Sequence, residues 1–373
     1  MDALMLPLNW QRVRLGDIGK PCMCKRVMKH QTTRYGEIPF YKIGTFGNTA
    51  DAFISKKLFL EYKTKYSFPK KGDVLISTSG TIGRAVIYDG KPAYFQDSNI
   101  VWIDNDETLV KNDFLFYAYS NVKWNTEHTT ILRLYNDNFR NTLIPLPPLN
   151  EQSAIADILS ALDRYLYALD ALILKKESVK KALSFELLSQ RKRLKGFNQA
   201  WQRVRLGDIA NYLTSNLSAE QITQQGKIKV YDVNNFIGYT DTTFISDKPY
   251  ISIVKDGSVG RVRILPPKTN ILSTMGALIA NHRTTTEFLF YLLSNFDFKN
   301  FTSGSIIPHI YFKDYKEKTI FLPPLNEQSA IANILSALDN EIASLKNKKR
   351  QFENIKKALN HDLMSAKIRV LEK

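Results

Sequence analysis

A few groups of side chains in this sequence have types and spacings that could support chemistry. Cys22-x-Cys24, with His30 downstream, offers soft metal ligands. It lacks a fourth ligand and the usual cysteine spacing of a zinc site, so the cysteines are expected to be structural and no metal is expected. Asp51 followed by Glu61-Tyr62-Lys63 has the order of an Asp…Glu-x-Lys set that could hold Mg²⁺ for phosphodiester hydrolysis. Such triplets arise readily by chance in a lysine-rich chain. A phosphate loop of the form Gly-x-x-x-x-Gly-Lys-Ser/Thr is missing, as is a dinucleotide-type Gly-x-Gly-x-x-Gly. So is the Asn/Asp-Pro-Pro-Tyr/Phe segment with which amino-methyltransferases grip a target amine. The histidines are scattered. The chain is therefore expected to carry no catalytic site and no cofactor of its own.

Chemistry of a different kind is written twice. Asp73-Val74-Leu75-Ile76-Ser77 leads into Gly80-Thr81-Ile82-Gly83-Arg84 and then Ala85-Val86-Ile87-Tyr88. Tyr250-Ile251-Ser252-Ile253-Val254 leads into Gly257-Ser258-Val259-Gly260-Arg261 and then Val262-Arg263-Ile264-Leu265. Both read as strand, glycine turn, strand. Glycines let a backbone approach a phosphate closely, and the adjoining arginine could pair with phosphate or a guanine edge. A further correspondence sets Thr129-Thr130-Ile131-Leu132-Arg133-Leu134-Tyr135 against Ser305-Ile306-Ile307-Pro308-His309-Ile310-Tyr311, with Ser303-Gly304-Ser305 read as a turn. The candidate nucleic-acid contacts are Ser79, Thr81, Arg84 and Arg133 in the first half, and Ser258, Arg261, Arg263, Ser303 and His309 in the second. The basic cluster Lys25, Arg26 and Lys29 joins them. Asp256 stands where the first half has Ser79, so base contacts are not expected to be the same in the two halves.

The elements that position these turns are repeated far more strictly. Trp10-Gln11-Arg12-Val13-Arg14-Leu15-Gly16-Asp17-Ile18 recurs unchanged as Trp201 to Ile209, an offset of 191. Leu146-Pro147-Pro148-Leu149-Asn150-Glu151-Gln152-Ser153-Ala154-Ile155-Ala156 recurs as Leu322 to Ala332, an offset of 176. The regions between the blocks look dissimilar and differ by 15 residues, the difference between 191 and 176. One frame holding two different readers is how a single chain could recognise two unlike halves of a site.

After each Pro-Pro, Asn150 or Asn326 is a suitable N-cap, with Glu151 or Glu327 in the first turn. The first helix carries a seam of Ile155, Leu159, Leu162, Leu166, Leu169, Ile173, Lys176, Lys180, Leu183 and Leu187. The second carries Ile331, Leu335, Leu338, Ile342, Leu345, Lys349, Phe352, Lys356, Leu359 and Leu363. Alternating steps of four and three, without proline or glycine, are the repeat of a coiled coil. A narrow apolar stripe this long needs a partner, and the tethered copy is at hand. Antiparallel pairing would join two globular heads by a two-helix rod with approximate two-fold symmetry and both termini near the first head. The seam lysines either snorkel to a solvated edge or fix the register.

The chain has 373 residues and a net charge of +16, with 44% hydrophobic and 24% charged residues. This suits two or three ordinary folded domains and a polyanionic partner, nucleic acid before an acidic membrane surface. The start, Met1 to Pro7, lacks a secretory signal, no apolar run reaches the length of a membrane span, and two cysteines fit a reducing cytoplasm. The seam is too narrow and regular for a helix lying on a membrane.

The block beginning Leu146-Pro147-Pro148-Leu149-Asn150-Glu151-Gln152, continued through Ile155 to Asp163, resembles the repeat of type I restriction-modification specificity subunits. Trp10 to Ile18, Gly72-Asp73-Val74-Leu75-Ile76-Ser77 with Gly80 to Gly83, and Gly304 to Tyr311 also look like that family. The resemblance covers the whole chain in the family's order. It implies an α+β fold with two globular α/β target recognition domains joined by two long antiparallel coiled-coil helices. The corresponding boundaries are 1–145, 146–196 as the first conserved helix, 197–321, and 322–373 as the second. It further implies that each recognition domain reads one half of a bipartite sequence in double-stranded DNA. It implies too that the helices set the spacer and dock two methyltransferase subunits, which would use S-adenosylmethionine to methylate adenine. The resemblance also implies restriction subunits, using ATP and Mg²⁺ to translocate and cleave DNA, as possible further partners. The competing expectations are a stand-alone coiled-coil DNA-bridging protein and an endonuclease built on Glu61 and Lys63.

Overall fold

In each half, the strand of the tryptophan block pairs antiparallel with the strand just before Pro-Pro. Gln11–Arg14 lies against Leu143–Leu146, and Gln202–Arg205 against Thr319–Leu322. The two blocks of the repeated frame, far apart in sequence, are thus neighbours in space. The computed structural model describes residues 7–128 and 132–370; the sequence expectations for residues 1–6 and 129–131 lie outside the described residues.

The principal helices are α1 (Lys56–Lys65), α2 (Asn112–Tyr119), α3 (Leu149–Leu188), α4 (Thr286–Ser294) and α5 (Leu325–Met364). The chain divides into two units, residues 1–169 with 348–373, and residues 170–347. Each unit therefore holds its own recognition region plus a segment of each long helix.

The regions that look dissimilar in sequence share one topology. In the first unit a four-stranded antiparallel sheet runs Lys20–Met23, Ile100–Asp104, Val74–Ser77, Ala85–Ile87. A second sheet runs Phe53–Ile54, Ile38–Tyr41, Tyr94–Phe95, its last pair parallel. The second unit repeats this as Ala210–Thr214, Met275–Ala280, Tyr250–Val254, Val262–Leu265, beside Phe236–Thr240, Ile228–Tyr231, Asn270–Ile271. Frame, sheet and long helices share one core in each unit. Trp10, Val13, Ile76, Phe114, Ile144, Ile155 and Leu363 form the first, and Trp201, Val204, Ile253, Phe288, Ile320, Ile331 and Leu187 the second.

The side chains of the repeated block explain its strict repetition. α3 and α5 begin at Leu149 and Leu325, so Asn150 and Asn326 lie inside the first turn and not ahead of it. Glu151 is not a solvated first-turn carboxylate. It is buried, accepts the Trp10 indole N–H at 3.0 Å, and is held by Arg369 Nε and Nη2 at 2.7 and 2.9 Å. Glu327 does the same with Trp201 at 3.0 Å and Arg193 at 3.1 and 2.6 Å. A buried carboxylate is tolerable only with such a paired, fully hydrogen-bonded set. The neighbouring Gln152 donates to the Pro147 and Leu109 carbonyls and accepts the Lys111 N–H just ahead of α2. Gln328 donates to Pro323 and Arg283 and accepts from Thr284 and Thr285 ahead of α4. Glu and Gln thus tie the start of each long helix to the tryptophan strand and to the recognition region's own helix.

Within each unit α3 and α5 run antiparallel. In the second, Glu177 meets Lys346 at 2.6 Å and Lys180 meets Asp339 at 2.5 Å, partners falling along one helix as they rise along the other. In the first, Asp163 meets Lys356, and the Tyr165 and Phe352 rings lie 4.7 Å apart. Every seam position expected from the sequence is buried or half-buried. Among the seam lysines, Lys176 pairs with Glu341, Lys180 with Asp339 and Lys356 with Asp163, all across the helix pair, while Lys349 pairs along its own helix with Glu353. The crossing pairs tie lysine to a specified partner, which is a register role and not simple snorkelling.

Candidate nucleic-acid interface

The glycine turns are built alike. In the first unit the strand ending at Ser77 passes through Gly80 (φ +64°) and Gly83 (φ +85°) and returns at Arg84. The Ser77 N–H donates to the Arg84 carbonyl, the Gly83 N–H to the Ser77 carbonyl, and the Ser77 hydroxyl to the Thr81 carbonyl at 2.5 Å. In the second unit the Val254 N–H donates to the Arg261 carbonyl and the Gly260 N–H to the Val254 carbonyl. Gly257 and Gly260 have φ +82° and +80°. Gly83 and Gly260 meet a second demand. A Cβ at Gly83 would come 2.3 Å from Trp124 Nε1, and one at Gly260 2.6 Å from a Phe298 ring carbon. These glycines are required for turn shape and close packing.

The side chains carried by that shared scaffold differ. In the first unit Ser79 bridges Arg133, and its hydroxyl donates to Asn99 Oδ1 at 2.8 Å; Arg133 Nη2 donates to the same oxygen at 3.2 Å. In the second, Asp256 bridges His309, and the His309 Nδ1 meets the Asp256 carboxylate. The turn approaches the next hairpin identically in both: the Leu134 N–H donates to Thr78, and the Ile310 N–H to Lys255. One position therefore presents Ser, Asn and Arg in one half and Asp and His in the other.

The other candidates fall into two groups. Arg84 turns inward, Nη1 donating to the Phe46 carbonyl at 2.9 Å; Arg263 donates to Asn234 at 2.6 Å and lies over the Tyr231 ring. These two shape the site. Lys25, Arg26, Lys29, Thr81, Ser258, Arg261 and Ser303 are exposed. Arg26 pairs with Asp97 at 2.8 Å, next to the Ser98–Asn99 segment under Ser79, which brings the basic cluster to the edge of the same loop set. Lys25 lies over the Tyr66 ring. Sequence reasoning missed Asn99, and also Arg193 and Arg369; extending the offset of 176 from Arg193 to Arg369 would have found the latter pair.

The hydrolytic and metal groupings are not assembled. Asp51 pairs with Lys42 and Glu61 with Lys65, while Lys63 lies over Phe59 and Phe68. Cys24 is buried, which pushes its thiol up to about 12. Among the described residues, no group of His, Cys, Asp and Glu is placed to hold a metal ion. No helix there is long and apolar enough to cross a membrane.

The chain thus holds two α+β units, each carrying divergent loops on one repeated frame. The family model described as the type I restriction modification DNA specificity domain matches twice, at residues 7–177 and 198–354, and the chain belongs to that family. It is 62% identical over 148 residues to a putative type I restriction enzyme specificity subunit of Haemophilus influenzae, covering 39% of this chain and 38% of that protein. It is 26% identical over 414 aligned residues to the type I restriction enzyme MjaVIII specificity subunit of Methanocaldococcus jannaschii, covering 99% and 95%. In fold it is similar to the crystal structure of a type I restriction-modification S subunit from M. genitalium. That likeness has a TM-score of 0.64 at 20% identity, over 96% of this chain and 98% of the other.

Proposed function

We propose that this chain is the DNA specificity subunit of a type I restriction-modification complex. It carries no catalysis itself; each recognition unit reads one half of a bipartite target. The observation that carries this reading is the pair of similarly bridged loop sets with different chemistry, Ser79, Asn99 and Arg133 against Asp256 and His309. Identical scaffolds fix where the loops sit, and unlike side chains read unlike bases. The net charge of +16 supplies the attraction to phosphate that any sequence reader needs.

In this reading α3 and α5 set the spacer and dock two methyltransferase subunits, which use S-adenosylmethionine. Restriction subunits using ATP and Mg²⁺ join the same assembly. The complex works in the cytoplasm, where DNA is accessible and the cysteines stay reduced.

The test is to co-express the chain with the products of its genomic neighbours and map methylated adenines across the genome. A bipartite motif is expected. Replacing residues 201–320 by another recognition region is expected to change one half of that motif. A change in both halves, or no methylation dependent on this chain, would contradict the assignment.

A further inference from the structure

The hairpin formed by Thr302–Ser303 and His309–Ile310 carries the loop Gly304–Pro308. At its tip Ile306 is 92% exposed and Ile307 64% exposed. The loop is pinned. Gly304 has φ +89°, and a Cβ there would lie 2.3 Å from the Ile307 carbonyl oxygen. The Pro308 carbonyl accepts the Gly257 N–H at 2.9 Å, which anchors the tip to the glycine turn beside Asp256 and Ser258. Single exposed apolar side chains are ordinary. Two adjacent exposed isoleucines on a pinned turn that is hydrogen-bonded to Gly257 are a different case.

We propose that Ile306 and Ile307 pack on thymine 5-methyl groups in the major groove, so that the second unit's half-site contains A·T pairs at the contacted positions. This rests on the assignment of the chain as a DNA specificity subunit. The thymine methyl is the apolar feature of the major-groove edge, and that groove admits a two-stranded β-ribbon. The neighbouring Ser258, Ser303 and Ser305 are exposed and offer hydroxyls for the polar base edges alongside. Apolar tip and polar flank together match a base edge that carries both a methyl and hydrogen-bonding atoms.

The test begins with a random duplex pool enriched on the full chain co-purified with its methyltransferase subunit. Deoxyuridine then replaces thymine at one position at a time in the enriched duplex, removing only the methyl. One or two positions in one half are expected to weaken binding about fourfold each, the factor for one buried methyl-sized group. The doubly substituted Ile306→Ser, Ile307→Ser chain is expected to bind more weakly and to ignore the replacement. Ile306→Val with Ile307→Val is expected to keep the sensitivity. Both residues are exposed, so circular dichroism should show an unchanged fold. Equal sensitivity in the serine variant, or no sensitive position, overturns the proposal. So does 2-aminopurine fluorescence showing the tip wedged between stacked bases. If the unmodified chain enriches no sequence, the specificity assignment itself fails, which is a distinct result.

Discussion

Lys180 Nζ lies 2.5 Å from Asp339 Oδ1, and the other oxygen of that carboxylate accepts the Tyr291 hydroxyl at 2.9 Å. The first unit repeats the arrangement with Lys356, Asp163 and Tyr117, the tyrosine hydroxyl bond measuring 2.7 Å. One aspartate on a long helix thus holds both the antiparallel helix and the recognition region's own helix, α4 or α2. Because Lys180 and Asp339 are about one-third exposed, the ion pair itself contributes only ~0.5–1 kcal/mol. The hydrogen bond from Tyr291 to a charged acceptor adds roughly 1.5–3 kcal/mol. Asp339→Asn loses the first and keeps the second only as a weaker bond to a neutral acceptor, so it is expected to be milder than Asp339→Ala. Native-state hydrogen exchange in α4 measures the difference. Equal losses from the two variants would mean that the carboxylate does not join the helices.

Glu327 is fully buried while its partner Arg193 is one-quarter exposed. Removing the arginine leaves a buried charge with no cation; removing the charge from the glutamate leaves a guanidinium that water can reach. Arg193→Ala is therefore expected to destabilise the protein more than Glu327→Gln. The loss should fall on the second unit, as Arg369→Ala should fall on the first through Glu151. Limited proteolysis with the cleavage sites mapped distinguishes the two. Cleavage in the wrong unit would refute the pairing.

These anchors show where sequence reading stops. The repeated blocks, the long helices and the strand–glycine–strand turns are legible because they are local patterns or exact repeats. Glu151 reads as a first-turn carboxylate because position in a helix is all that sequence supplies. Its role depends on Trp10 and Arg369, which lie at opposite ends of the chain. Arg193 stands in the basic run Arg191-Lys192-Arg193, and nothing local distinguishes it from its neighbours. The subtler signal is that Gln190 and Ala366, also 176 apart, both take left-handed backbone at φ 60° and 56°. The bridge between Ser79 and Arg133 is a long-range contact that no spacing rule predicts.

The basic cluster has a thermodynamic signature. Lys25 and Lys29 are exposed, as is Arg26 despite its pairing with Asp97. If these side chains touch phosphates, each alanine substitution should weaken binding to all duplexes alike and reduce the slope of log affinity against log salt by ~0.9. Titrations at several salt concentrations measure it. An unchanged slope would remove these residues from the interface.

Several tyrosines make the fold sensitive to alkali. Burial pushes Tyr88 and Tyr250 up to about 12. Burial first, and then the aspartate hydrogen bond, push Tyr117 and Tyr291 higher still. A phenol whose folded value is raised favours folding fully below the unfolded value of about 10, and that contribution is lost as pH rises through the folded value. Stability should be insensitive to these groups from pH 7 to about 9 and fall above about 10. Tyrosinate absorbance from them should appear only as circular dichroism is lost. Their titration near the ordinary value in the folded protein would refute the burial.

Asp256 and His309 occupy in the second unit the place of Ser79 and Arg133 in the first. Backbone bridges hold both pairs in the same way, so the side chains can be exchanged with little change in the scaffold. Arginine reads guanine with paired donors, whereas the His309 ring has Nδ1 tied to the Asp256 carboxylate and Nε2 buried, so it offers no such pair. Asp256→Ser together with His309→Arg is therefore expected to alter the preferred base at about one position in the second half-site and to leave the first half intact. Asn99 has no counterpart in the exchange, so the gain for guanine should stay below the ~1–3 kcal/mol of a well-placed bidentate contact. Genome-wide adenine methylation with the double variant measures the outcome. A motif altered in the first half would show that these residues act through the whole chain, and an unaltered motif would show that the bases are read elsewhere on the second unit.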